Sequence, residues 1–377
     1  HSDVCSCEPI PFHPPTVSRS TQELDDLFRK QVLSELEANP NKYPDRTWGR
    51  NINEHVAKLL EVARPVRLRP YPTEQTKALV ESNSPLGDPL VVVNQHVFDW
   101  PGDRRPIEHF FKHMEAFTDE RISVQVPSRF TNVASCTVKE FSDVRERFLD
   151  TRAVAEDGPW NVLDMANVLP ARLPGCLTGL NCQVLRVLQH KVLSEGTAER
   201  TEASTVEWKR WKNVIDWVLL SEGGNNTAAH TDSNAFATWL TVQEGCIGFI
   251  WLSQPQDHER DSWILAHDTY TGGEWRFVVI RAGDTIIFNS GTIHSVCRPL
   301  GTQTLAFGGH FLRWTDLQKW LDVLTLQMEH PSMTNEDMTE SAPKYVRTVL
   351  GLVQKGDYTE LLGGKEAADK FCDRAQV

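Results

Sequence analysis

Three residues of this chain could do chemistry together: His230 and Asp232, in the run His230-Thr231-Asp232, and His294, which closes Phe288-Asn289-Ser290-Gly291-Thr292-Ile293-His294. Two imidazoles and one carboxylate can occupy one face of an octahedral metal and leave the opposite face open, the facial arrangement of non-haem Fe(II) sites. An HxD pair alone recurs by chance. What gives this one weight is that both halves lie in segments that read as strands. The spacing therefore predicts a catalytic metal centre with His230, Asp232 and His294 as ligands.

Strands must carry these residues, and the second half of the chain supplies them. Val218-Leu219-Leu220 is an apolar run, and Glu222-Gly223-Gly224-Asn225-Asn226 is a turn-rich break before Thr227. Further strands are predicted at 239–242, 248–252, 275–280, 285–288 and 304–311, separated by turns at Glu244-Gly245 and Ala282-Gly283-Asp284. Many short strands punctuated by Gly and Asx turns predict a β-sandwich or jelly-roll barrel. Upstream, Ser20-Thr21-Gln22-Glu23 reads as a helix start, with the helix running to about Ala38. Helices are expected over 52–63, 73–82 and 105–117, and strands at Pro89–Val93 and Ile122–Val126. Thr137 is expected to open a helix through 149, and 193–207 to be a loop. The C-terminal stretch reads as helical over 316–326 and 343–354, so the fold class is α+β with helices around a β core. His109 and His113, at i and i+4 beside Glu108, read as a solvated helix face.

Composition narrows the function classes. The 377 residues are 40% hydrophobic and 24% charged, as in an ordinary globular protein. The net charge of −12 argues against general nucleic-acid binding, which needs basic patches, and is compatible with a basic protein or peptide partner. No apolar run approaches the ~20 residues of a membrane span, so no membrane partner is expected. The first 15 residues hold Pro9, Pro11, Pro14 and Pro15 and read as an unstructured lead-in. Because the chain starts at His1 rather than Met, they carry no information on targeting. The eight cysteines are scattered, Cys5 and Cys7 near the start, with no paired CxxC sets for zinc and far too few for a disulfide scaffold. Reduced thiols in the nucleus or cytoplasm are the expectation.

Residues 217–314 resemble the JmjC domain, most closely its lysine-demethylase branch with plant-homeodomain relatives. Thr227-Ala228-Ala229-His230-Thr231-Asp232 is similar to that branch's Thr-x-x-His-x-Asp element, with Trp239 at its strand tryptophan. Gly283-Asp284-Thr285-Ile286-Ile287-Phe288, followed by Ser290-Gly291-Thr292-Ile293-His294-Ser295-Val296, is similar to Gly-Glu-x-x-Phe-x-Pro-Ser-Gly-Trp-x-His-x-Val. Leu305-Ala306-Phe307-Gly308-Gly309-His310-Phe311-Leu312 is similar to the family's Phe-Gly-Gly-Asn-Phe-Leu. Pro89–Val93 and Thr137–Phe141 resemble its entry strand and following helix. The resemblance implies a double-stranded β-helix over 85–314; the regions before it (1–84) and after it (315–377) read as helical by pattern. It further implies Fe(II), the co-substrate 2-oxoglutarate, and O2.

Two departures bear on the co-substrate. Where the family has a lysine that pairs with the distal carboxylate of 2-oxoglutarate, this chain has Ile247. Where a tyrosine or asparagine assists, it has Leu240. A carboxylate buried without a cation is costly, so either another residue supplies the charge, or the co-substrate is bound differently, or it is not bound. Arg298 and Arg276 are the candidates. Thr227 keeps the family's hydroxyl, and His310 stands where the family has asparagine, so Thr227, Arg298 and His310 are the expected co-substrate residues.

Three functions stay open on these residues. One is an oxygenase that hydroxylates or demethylates a protein side chain, such as a lysine on a basic tail. Another is an oxygenase for a small molecule or nucleotide. The third is a non-catalytic JmjC-fold protein that binds metal or partners.

Overall fold

The computed structural model describes residues 21–38, 48–66, 71–93, 95, 97–115, 121–126, 136–150, 158–166, 169, 171–195, 214–334 and 342–376. The proline-rich lead-in, Cys5, Cys7 and residues 196–207 of the expected loop lie outside them.

Three helices precede most of the strands: α1 (Thr21–Ala38), α2 (Trp48–Val62) and α3 (Thr73–Glu81), with the short β1 (Arg64–Pro65) between the last two. Then come β2 (Leu90–Val92), α4 (Pro106–Met114), β3 (Arg121–Gln125), β4 (Thr137–Glu140), α5 (Phe141–Leu149), β5 (Asn161–Ala166) and α6 (Val184–Glu195). The densest strand region follows: β6 (Trp217–Ser221), β7 (Thr227–His230), β8 (Ala237–Glu244) and β9 (Cys246–Leu252). After α7 (Asp257–Leu265) it continues with β10 (Trp275–Arg281), β11 (Thr285–Phe288), β12 (His294–Cys297) and β13 (Thr304–Phe311). Helices α8 (Leu317–Glu329), α9 (Ala342–Gln354), α10 (Thr359–Leu362) and α11 (Lys365–Ala375) end the described chain. The fold is α+β, and none of the described helices is long and apolar enough to cross a membrane.

The strands form two sheets. The larger has the order β2-β11-β8-β13-β6-β5-β3-β4, and the smaller β1-β10-β9-β12-β7. Among the described strands, every pairing is antiparallel except that of β1 with β10. Because side chains alternate along a strand, each sheet offers one face to the other and one to the helices. Ile247, Phe249 and Val278 of the smaller sheet cluster with Val242, Ile286 and Phe288 of the larger. On the smaller sheet's outer face, Val32 of α1 and Val56 and Leu59 of α2 pack with Ile250, Phe277 and Val279. Helices α4 and α5 cover the larger sheet through Phe110, Phe111 and Phe148.

Two glycine requirements shape the strand region. Gly283 turns the chain from β10 to β11 at φ +90°, a conformation only glycine adopts without strain. At Gly308 on β13, a Cβ would stand 2.3 Å from the Trp217 ring, so glycine lets that indole close against the sheet.

Some expectations need correction. The helix expected over 137–149 begins only at Phe141. Thr137–Glu140 is instead the edge strand β4, paired with β3 from Thr137↔Val124 to Glu140↔Arg121. Its β-branched Thr137 and Val138 favour that extended ladder. Residues 193–195 close α6 rather than start a loop. His109 is not on a solvated face: it is 4% exposed, packs beside Trp100 and stands 2.9 Å from Asp103, whereas His113 is exposed.

Candidate metal centre

The register of the smaller sheet joins the two halves of the HxD…H pattern. His230 ends β7, His294 begins β12, and the two are direct antiparallel partners with ring centroids 4.3 Å apart. Asp232 lies two residues past β7. His230 Nε2 and His294 Nε2 each stand 3.6 Å from the same oxygen, Asp232 Oδ1. One ligand atom from each of the three residues lies within 4.8 Å of the others, close enough to share one ion.

The surroundings prepare both imidazoles as ligands. His230 Nδ1 is 2.8 Å from the Ala228 carbonyl and His294 Nδ1 is 3.0 Å from that of Thr292. A carbonyl only accepts, so each Nδ1 carries the proton and each Nε2 keeps its lone pair for a metal. Burial pushes the His294 imidazole down to about 4, against a smaller upward pull from the Thr292 carbonyl, so the ring is neutral at physiological pH. The Phe249 ring stacks on His294 at 5.0 Å and fixes its plane. The donor set and its protonation state fit a divalent metal such as Fe(II).

Asp232 enters a tight loop in which Asn234 and Ala235 take left-handed φ values of 56° and 53°. Such backbone costs non-glycine residues of order 1–3 kcal/mol each and persists where neighbours over-determine it. Here α8 does so. The fully buried Gln327 donates to the Thr231 hydroxyl and the Asp232 carbonyl, both at 2.8 Å, and accepts from the Ala235 amide at 2.9 Å. Trp320 Nε1 donates to the Asn234 carbonyl, and the Thr231 amide donates to the Met333 carbonyl.

A cavity lies between the two sheets, and all six sequence-predicted residues line it: His230, Asp232, His294, Thr227, Arg298 and His310. Leu240 and Ile247 line it too, so the two apolar departures border the same space. The two arginine candidates separate. Arg276 is outside this lining and is ion-paired with Asp88 at 2.6 Å and Glu274 at 3.0 Å. Arg298, one residue past β12, is 2% exposed and among the described residues reaches one acceptor, the Asn225 carbonyl at 2.9 Å, while its buried Nε meets none of them. Burial pulls its guanidinium down to about 10. A desolvated guanidinium with a donor left over in a cavity wall has the chemistry to bind an anion.

Sequence reasoning did not find Thr238, whose hydroxyl donates to Asp232 Oδ2, or Gln327. Thr238 becomes visible only through the pairing of β8 with β13, which sets it opposite His310. Nothing local marks Gln327, which lies 95 residues from Asp232.

No family model matches the chain. Over 144 residues it is 26% identical to the JmjC domain-containing histone demethylation protein 1 of Cryptococcus neoformans, a match covering 36% of this chain and 16% of that protein. Among solved structures, a chain in the crystal structure of Drosophila melanogaster CENP-C bound to CAL1 is 14% identical. It covers 26% of this chain and 63% of that one at a TM-score of 0.20, a likeness too slight to bear on the fold. The first of these similarities accords with the motif resemblance at the level of the JmjC domain.

Proposed function

We propose that the protein is a JmjC-type, Fe(II)- and 2-oxoglutarate-dependent dioxygenase that hydroxylates or demethylates a protein side chain, with a lysine on a basic tail as the preferred substrate. In this reading the two facing sheets are a double-stranded β-helix, and the site works in the nucleus or cytoplasm. The observation that carries it is the convergence of His230 Nε2, His294 Nε2 and Asp232 Oδ1 in a cavity that also holds an unpaired guanidinium. The similarity to a histone demethylation protein supports the substrate class.

His230, Asp232 and His294 would hold the metal. Arg298 and the Thr227 hydroxyl would bind the distal carboxylate of 2-oxoglutarate, replacing the cation missing at Ile247. Bound iron and 2-oxoglutarate together supply, with O2, an oxidant able to break a C–H bond. The chain's own part is orientation and exclusion. The Ala228 and Thr292 carbonyls aim the imidazoles, and Leu240, Ile247, Phe249 and Phe288 keep water from the space beside them. Hydroxylation of a carbon next to nitrogen leads to demethylation, and of another carbon to a stable alcohol.

Anaerobic titration with Fe(II) and 2-oxoglutarate, followed by visible absorption, tests this. The chelate's weak charge-transfer band is expected in the wild type and lost in His230→Ala and Asp232→Ala. Turnover retained in either variant would refute the ligand assignment. Succinate release over peptide, nucleoside and metabolite pools then separates a protein substrate from a small one. The apolar Leu240 and Ile247 favour one second reading, a JmjC-fold protein that binds metal without the co-substrate. Iron binding with no band at saturating 2-oxoglutarate would select it.

A further inference from the structure

The two oxygens of Asp232 are used differently. Oδ1 faces both imidazoles at 3.6 Å, whereas Oδ2 accepts a hydrogen bond from the Thr238 hydroxyl. The oxygen of that hydroxyl is in turn 2.9 Å from His310 Nδ1. A hydroxyl has one proton and an ionised carboxylate only accepts. The Thr238 proton therefore points at Asp232, and His310 Nδ1 carries a proton that it donates to Thr238. Strand register builds this chain of groups, because Thr238 on β8 and His310 on β13 are direct cross-strand partners. The His310 ring is held between Trp217 and Phe236, each with its centroid 5.8 Å away, and Phe236 packs edge-on against Tyr345 of α9.

We infer that Thr238 and His310 are positioning residues that keep Asp232 a one-oxygen ligand. With Oδ2 engaged by the hydroxyl, only Oδ1 is offered to the ion, and the coordination position that a two-oxygen carboxylate would cover stays available to exogenous ligands. His310 thereby acts on the metal through Thr238 and Asp232 in addition to lining the cavity. This inference rests on the reading that His230, Asp232 and His294 bind a metal.

Cobalt(II) binding to the full chain tests it without turnover, read by calorimetry and by the visible bands of the bound ion. Thr238→Val removes the hydroxyl at nearly constant shape, and Thr238→Ser restores it. His310→Leu removes the far donor, and His310→Asn can offer an amide N–H in place of Nδ1. Loss of an outer-shell partner weakens metal binding by roughly 10- to 100-fold. That loss, with a changed cobalt spectrum, is expected for Thr238→Val and His310→Leu, and recovery to within about threefold for the two conservative variants. Should Thr238→Val fail to fold, the His310 pair decides. Wild-type affinity and spectrum in folded Thr238→Val or His310→Leu would overturn the relay and leave the metal site standing. A wild type that binds no cobalt or iron would instead overturn the metal reading on which the relay rests.

Discussion

Two buried arginines stand at opposite extremes of satisfaction. Arg313, between β13 and α8, is 0% exposed and directs its guanidinium to both oxygens of Asp316, at 2.7 and 2.8 Å, and to the carbonyls of Val80, Ser82 and Ser84. All five of its N–H donors are used. Arg298, at the cavity, is 2% exposed, reaches one carbonyl and has no carboxylate partner among the described residues. Burial of a guanidinium is costly in both places. In the first the chain offsets that cost itself, tying the loop after α3 to the start of α8. In the second, on the proposed reading, a bound ligand would supply the offset. The difference separates a structural cation from the one proposed to bind, and charge or burial alone would not.

Each half of that contrast can be broken. Asp316→Ala strands Arg313 without its anion, and unfolding in denaturant should show a loss of about 3–5 kcal/mol. A loss under ~1 kcal/mol would mean that the carbonyls suffice. Arg298→Met should change stability by no more than about 1 kcal/mol, or raise it, because it removes an unpaired buried charge. The same variant should weaken 2-oxoglutarate binding by roughly 10²- to 10³-fold. Unchanged binding would remove Arg298 as the anchor. Arg298→Lys keeps the charge but loses the planar fork, and affinity between those of wild type and Arg298→Met is expected from the same titration. Smallest is Arg276→Ala. Its pair with Asp88 is partly exposed, and Asp88 keeps the Trp251 indole and the Ser253 hydroxyl. A cost within about 1 kcal/mol and no effect on 2-oxoglutarate are expected.

What could be read from the sequence followed the range of the interactions. Strands β8 to β11 and β13 announce themselves through short apolar runs between Gly turns, and the candidate ligands through residue type and spacing. Helix α7 does not: of its nine residues only Trp263 and Ile264 are buried. Its readable signal is the capping box of Gln256 and Glu259, which carries no apolar periodicity. Edge strand β4 was lost because four residues cannot fix a period, and its partner β3 lies across an intervening segment. At the site, the choice between Arg276 and Arg298 depended on where Asp88 falls, 188 residues from Arg276. No local pattern encodes that.

The brace that Gln327, Trp320 and Met333 apply to the loop after His230 has a practical consequence for dissecting the chain. The motif resemblance stops at residue 314, and a fragment cut there would contain all three proposed ligands. It would also lack the groups that hold the left-handed turn at Asn234 and Ala235. Such a fragment should display the sequence signature of the centre while letting Asp232 wander. A piece that keeps this brace therefore extends at least past α8 to Met333.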